Sequence, residues 1–176
     1  MDKKRRFILT KIIVGLFAGI LLIAFDQWTK MLAVSHLMGK SDYVFIDGVF
    51  ELHYLENRGA AFGILQDQKV LFVVLTLLIL AAIVYIYLCR LPQGRRYLAL
   101  HIITILFFSG ALGNFIDRLA KGYVVDFFYF SLIDFPVFNV ADIYVTVAAG
   151  LLLVFGIFYY KDEDFEKFFP AKKTSS

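Results

Sequence analysis

The sequence predicts a polytopic α-helical membrane protein with four transmembrane helices and a small outward-facing β-sheet in the first outer loop. Hydrophobic residues make up 60% of the chain and its mean hydropathy is +0.74, whereas a soluble domain is roughly half apolar. The excess lies in four runs, each close to the roughly 20 residues that cross a hydrocarbon layer of about 30 Å. We therefore expect one membrane domain over residues 1–176.

The four spans are expected at about residues 7–27, 70–90, 97–117 and 138–160, which leaves outer loops at 28–69 and 118–137. The first span follows a basic start, as a secretory signal would. Its apolar core is long enough to span, no small-x-small cleavage site follows it, and the next residues are the polar stretch DQWTK. We interpret this span as a retained anchor.

Basic residues predict the orientation of the chain. Residues 1–6, 90–96 and 161–176 hold 11 Lys and Arg in 29 residues, and residues 27–69 and 117–138 hold 6 in 65. The denser set belongs in the cytoplasm by the positive-inside rule. Both termini are then expected inside, and two loops face outward.

The first outer loop carries a hairpin pattern. Asp47-Gly48 separates two β-prone runs, Tyr43 to Ile46 and Val49 to Leu55, which predicts two antiparallel strands joined by a two-residue turn. Apolar residues alternate with polar ones along the second run. We expect a small sheet that lies on the outer membrane surface.

Polar residues gather at the outer ends of three spans, in groups whose helical spacing places each group on one helix face. Because polar groups in hydrocarbon are costly, each group should point into the bundle and toward the others. The groups are Asp26 with Lys30, then Asn114 with Asp117 and Arg118, then Asn139 with Asp142.

Ordinary roles compete with functional ones at each group. Asp26 and Lys30 could form a solvated pair at the interface, and Asp117 with Arg118 could be a structural ion pair that locks helix ends. Asp142 could be a cap of the last helix, although a buried intramembrane acid indicates function by default. The apolar and aromatic neighbours of Asp126 suggest that this loop acid is pressed against the membrane.

Two carboxylates that meet cannot both ionise cheaply, so such a pair shares one proton. The ionised partner can then activate a water molecule, while the protonated partner polarises a carbonyl and later protonates the leaving amine. Other hydrolytic devices are missing from the sequence, since the three histidines are scattered and neither H-E-x-x-H nor G-x-S-x-G occurs. No metal site is predicted, and the single cysteine, Cys89, is interpreted as lipid-facing or packing.

Five segments, in order, resemble bacterial lipoprotein signal peptidase, also called signal peptidase II. They are DQWTK at 26–30, ENRGAAFG at 56–63, GALGNFIDR at 110–118, VVDF at 124–127 and FNVAD at 138–142. The resemblance implies an aspartyl endopeptidase that removes the signal peptide of a diacylglyceryl-modified prolipoprotein, cutting before the lipobox cysteine. It also implies that the first outer loop forms a sheet that cradles the substrate.

The resemblance further implies roles for individual residues. Asp126 and Asp142 match the family's catalytic pair, and the substrate-binding or supporting positions are Asn57, Gly59, Asn114, Arg118, Asn139, Asp26, Lys30 and Asp117. One departure is Ile143, where the family commonly has serine. A second is the strongly aromatic stretch after Asp126, which suggests a different lid over the site.

Two other functions are open on the sequence alone. A small ion- or proton-coupled carrier could use Asp142 as a relay acid, although no inverted repeat or pair of broken helices is seen. A non-enzymatic assembly factor could use the outer hairpin to bind a partner, but it leaves the two acids unexplained. The expected partners are a diacylated prolipoprotein and membrane lipid, with no nucleic acid and no cofactor, for a monomer in the bacterial cytoplasmic membrane.

Overall fold

A computed structural model of the chain describes residues 3–59 and 68–168, and it confirms the predicted fold class. Among these described residues, four helices are long and apolar enough to cross a membrane. The bounds of the five α-helices are α1 Lys3–Leu37, α2 Lys69–Tyr85, α3 Leu98–Ala120, α4 Val140–Phe158 and α5 Asp162–Phe168. A π-helical turn, Ile86–Arg90, extends α2, and a 3-10 turn, Arg95–Tyr97, precedes α3.

The first helix extends ten residues beyond the predicted span end at residue 27, because it remains regular to Leu37. Residues 28–37, expected in the outer loop, are therefore helical. At 30 residues, the apolar part Ile8–Leu37 is about 45 Å long at 1.5 Å per residue, more than the hydrocarbon needs. Its last turns support the sheet, since Ala33 and Leu37 pack in one buried cluster with Val125 and Phe127.

The sheet has three antiparallel strands in the order β1-β2-β3, with β1 Tyr43–Ile46, β2 Phe50–Asn57 and β3 Val124–Tyr129. The first two strands confirm the predicted hairpin. The third strand comes from the second outer loop, so the sheet is not confined to the first. Because β3 carries Asp126, this pairing brings the candidate acid to the strand that ends at Asn57.

The turn between β1 and β2 differs from the prediction. Ile46 pairs with Phe50, so three residues, Asp47 to Val49, connect the strands instead of two. Val49 N donates to Ile46 O at 2.9 Å, and Gly48 has a φ of +65°. A residue without a side chain adopts that left-handed conformation without strain. An irregularity between Val44 and Ile46 absorbs the extra residue.

The helix α5 packs at the end of the bundle opposite the sheet, at the start of α3. Asp164 of α5 is 4% exposed and accepts hydrogen bonds from Arg96 and from the Tyr97 hydroxyl, the latter at 2.6 Å. Arg96 above all, then Tyr97, holds the pKa of Asp164 well below its usual range. These contacts tie α5 to the start of α3.

Candidate active site

Local sequence sets the start of α4 and with it the position of Asp142. Asn139 is the N-cap residue, and its Oδ1 accepts from Asp142 N at 3.0 Å while Asp142 Oδ2 accepts from Asn139 N at 3.1 Å. This reciprocal pair is a capping box, which satisfies two free amide groups of the first turn. The interpretation of Asp142 as a cap is therefore partly right. Asp142 is not the N-cap residue, but it is the third residue of α4 and its side chain completes the capping box.

The strand β3 places Asp126 next to the start of α4. A tight turn at Gly122, with a φ of +86°, ends α3 and returns the chain as β3. Phe127 N and Phe128 N both donate to Phe138 O, at 3.0 and 2.8 Å, which holds β3 beside the residue preceding Asn139. Asp126 is 1% exposed.

Three amide side chains link the two acids. Asn139 Nδ2 donates to Asp126 Oδ1 at 2.6 Å, Asn57 Nδ2 donates to Asp126 Oδ2 at 2.9 Å, and Asn114 Nδ2 donates to Asp142 Oδ1 at 2.8 Å. Asn139 therefore contacts both acids, one through its side chain and the other through its backbone. Each carboxyl receives two N–H donors.

Each amide is held in this orientation by a donor to its oxygen. Lys30 Nζ donates to Asn114 Oδ1 at 2.7 Å, and Gly59 N donates to Asn57 Oδ1 at 3.0 Å. Asp142 N does the same for Asn139. Reversing any of these amides would bring two donors or two acceptors together, so the N–H groups stay aimed at the carboxyls.

A fully buried ion-pair network lies behind the acids and is formed by Asp26, Lys30 and Asp117. The interpretation of Asp26 and Lys30 as a solvated pair at the interface is therefore wrong. Lys30 Nζ lies 3.0 Å from Asp26 Oδ2 and 3.1 Å from Asp117 Oδ2, and all three side chains are 0% exposed. Asp26 Oδ1 also accepts from Ala141 N at 2.9 Å, which ties α1 to the first turn of α4.

The prediction that Asp117 pairs with Arg118 is wrong about the partner. Asp117 pairs with Lys30 and with Lys121, whose Nζ is 3.0 Å from Asp117 Oδ1. Neighbouring helix residues point in different directions, so Arg118 turns elsewhere. Its Nη2 donates to Gly59 O at 3.3 Å and its guanidinium carbon lies 4.9 Å from the Phe72 ring centroid.

Both acids line one cavity of about 960 Å³. The predicted positions Asn57, Gly59, Asn114 and Arg118 line it too, whereas Asp26, Lys30 and Asp117 lie in the network behind it. Residues 60–63 of the segment ENRGAAFG lie outside the described residues. Residues of the second outer loop, Asp134 to Phe138, also border the cavity, and no local sequence pattern marks them as a wall of the site.

The electrostatics of the site favour a retained proton. Burial, together with the nearby Asp142 carboxyl, raises the pKa of Asp126 to about 7. Hydrogen bonds from Asn57 and Asn139 act in the opposite direction. Within residues 3–59 and 68–168, no three His, Cys, Asp or Glu side chains are grouped as metal ligands would be. The arrangement can hold one proton between two acids and activate water without a covalent intermediate.

Comparisons with known proteins agree with the geometry. A sequence profile of the family "Signal peptidase (SPase) II" matches residues 18–158. The lipoprotein signal peptidase of Streptococcus pyogenes serotype M1 is 44% identical over 163 residues, which cover 93% of this chain and 98% of that protein. The lipoprotein signal peptidase of Streptococcus thermophilus (strain CNRZ 1066) is 48% identical over 133 residues, 76% of this chain and 85% of that protein.

Solved structures are similar as well. A structure described as a bacterial membrane enzyme superposes with a TM-score of 0.73 at 31% sequence identity, and the match covers 84% of this chain and 94% of that one. A second structure with the same description gives a TM-score of 0.72 at 31% identity. The similar solved structures and the relatives found by sequence are therefore both bacterial enzymes.

Proposed function

The chain belongs to the signal peptidase II family, the lipoprotein signal peptidases, and from that premise we propose that Asp126 and Asp142 are its catalytic pair. The enzyme is an aspartyl endopeptidase that removes signal peptides from diacylglyceryl-modified prolipoproteins, and the carrier function has no support. The observation that carries the assignment of the pair is Asn139, which donates to Asp126 with its side chain and to Asp142 with its backbone.

In the proposed mechanism, the pair holds one proton and a water molecule sits between the carboxyls. The ionised carboxylate takes a proton from the water as its oxygen attacks the scissile carbonyl carbon. The protonated carboxyl donates its proton to the carbonyl oxygen, which gives a neutral gem-diol intermediate. On collapse, one hydroxyl proton returns to the pair, the C–N bond breaks, and the leaving amine receives a proton from the pair.

The surrounding residues keep the two acids in place during these steps. The capping box and Asn114 fix both oxygens of Asp142, and Asn57 with Asn139 fixes both oxygens of Asp126. A carboxyl held by locked neighbours loses little entropy on reaching the reactive geometry.

We also propose that the site opens at the outer leaflet and that both termini are cytoplasmic. The distribution of Lys and Arg supports this orientation. The acids lie at the first turn of α4 and on the adjacent sheet, hence at one end of a candidate span. A lipid-anchored substrate holds its scissile bond at the membrane surface, and a site at that depth can reach it.

The test is cleavage of a diacylated lipobox peptide by the purified protein in detergent, with a chelator present. Asp126→Asn and Asp142→Asn should each lower kcat by about 10³-fold or more, because each removes one half of the acid–base pair. Asp47→Asn, a change in the β1–β2 turn, should keep wild-type activity. Wild-type cleavage by either site variant, with normal thermal stability, would refute the proposed pair.

A further inference from the structure

The cavity that holds the two acids has a second, apolar end. Its polar end is formed by the two acids together with Asn57 and Asn114. Beyond Asp142, α4 contributes four more lining residues, all uncharged: Ile143, Val145, Thr146 and Val147. Ile143 and Val147 are one helical turn apart and share a face of α4.

This apolar end lies at hydrocarbon depth. The helix α4, Val140–Phe158, is a candidate membrane span, and a helix rises about 1.5 Å per residue, so Val147 lies about 8 Å further along the span than Asp142. Ile143 is 38% exposed and Val147 is 46% exposed. Their side chains are therefore open to the cavity and to the surrounding lipid.

The apolar side chains of this wall favour a hydrocarbon chain over an extended peptide as the bound group. An extended peptide placed here would lose most hydrogen bonds of its backbone, because Thr146 has the only polar side chain among these four lining residues. A hydrocarbon chain has no such cost. The substrate carries a diacylglyceryl group on the residue directly after the scissile bond, so its acyl chains lie near the acids when that bond is in the site.

We propose that Ile143 and Val147 form the contact surface for an acyl chain of the substrate and thereby set the preference of the enzyme for long acyl chains over short ones. This inference rests on the proposed function. Ile143 directly follows Asp142, so the apolar wall begins at the residue next to a proposed catalytic acid. Both are specificity-determining residues that take no part in proton transfer.

The experiment compares two lipobox peptides, one with dipalmitoylglyceryl and one with dibutyrylglyceryl on the cysteine, in the same mixed micelles. Val147→Phe fills the apolar end and should raise KM for the long-chain peptide about tenfold, with less than about a twofold change for the short-chain peptide. Ile143→Ser should shift the same ratio in the same direction by removing apolar contact. Comparing each variant with wild type in identical micelles cancels differences in partitioning.

The matched controls are Ile157→Phe and Ile157→Ser, since Ile157 is 69% exposed on the same helix and does not line the cavity. Both should leave the ratio unchanged. Equal effects on the two peptides, or equal effects of the Ile157 variants, would overturn the proposal.

Two further results distinguish this proposal from a signal-peptide site and from failure of the proposed function. If the Val147→Phe effect follows the length of the signal-peptide apolar region instead of the acyl chains, the wall holds the signal peptide and the proposal fails. If wild-type protein cleaves neither peptide, the proposed function itself fails, which is a distinct outcome. A normal kcat for the short-chain peptide shows that a variant is folded.

Discussion

Asp126 illustrates how burial converts an ordinary carboxyl into one that keeps its proton near neutral pH. The residue is 1% exposed, and burial followed by the charge of Asp142 raises its pKa to about 7. The proposed mechanism needs one proton on the pair. The alkaline limit of activity should therefore report the loss of that proton, as a property of the pair as a whole.

The pH profile tests this directly. Because the proton is lost as pH rises through about 7, kcat/KM should fall above that pH by about tenfold per unit. Asn57→Ala removes an N–H donor that stabilises the ionised form of Asp126, so the pKa should rise and the fall should move to higher pH. The measurement is kcat/KM from pH 5 to 9. A decline at the same pH in wild type and variant would contradict this electrostatic account.

Asp26 is expected to matter mainly for stability. Asp26→Ala leaves Ala141 N without its acceptor and removes a buried partner of Lys30, which should cost about 3–5 kcal/mol. Lys121→Met is the matched control, because it removes a partly exposed partner of the same network and should cost at most about 1 kcal/mol. The check is thermal unfolding in detergent, and equal losses would show that burial of the network is unimportant.

At the scale of elements, the close approach of α3 and α4 positions the site. A Cβ atom placed on Gly110 would lie 2.5 Å from Ala141 O and 2.7 Å from Val145 Cγ2. Only a residue without a side chain fits there. The first turn of α4 also carries Asp142, so displacement of this turn would move a candidate catalytic acid.

Gly110→Ala should therefore lower both stability and activity. Overpacking costs about 1–3 kcal/mol, and the shift of α4 should reduce kcat by more than about tenfold because geometry near the reacting atoms is demanding. Gly156→Ala on α4 is the control, since nothing lies within 4 Å of its added Cβ. Thermal unfolding and peptide cleavage measure both effects, and wild-type behaviour of Gly110→Ala would show that the helices can separate freely.

For the whole molecule, the orientation in the membrane is the property on which access to substrate depends. Asp47→Cys and Gln93→Cys, each in a Cys89→Ser background, place one thiol at either end of the bundle. In intact cells, an impermeant maleimide should label the residue 47 thiol, and the residue 93 thiol should react only after permeabilisation. The reverse pattern would place the site on the cytoplasmic side and end the proposed orientation.

The four spans, their polar ends and the hairpin could be predicted from local patterns of hydrophobicity, helical spacing and turn residues. The sequence placed Asp26 with Lys30 and Asn139 with Asp142 on shared faces, since residues three and four apart on a helix are neighbours. The five matching segments also led to the correct family. The partner of Asp117, the length of the turn at Gly48 and the third strand did not follow from local pattern.

Which of these groups meet depends on long-range packing. Asn57 reaches Asp126 across 69 residues of sequence and Asp26 reaches the amide of Ala141 across 115, and no local periodicity encodes such contacts. The pairing of β3 with β2 and the fit of Gly110 against α4 bring them together. Packing also removed water from Asp126, and that desolvation, which depends on the whole fold, sets its affinity for the proton.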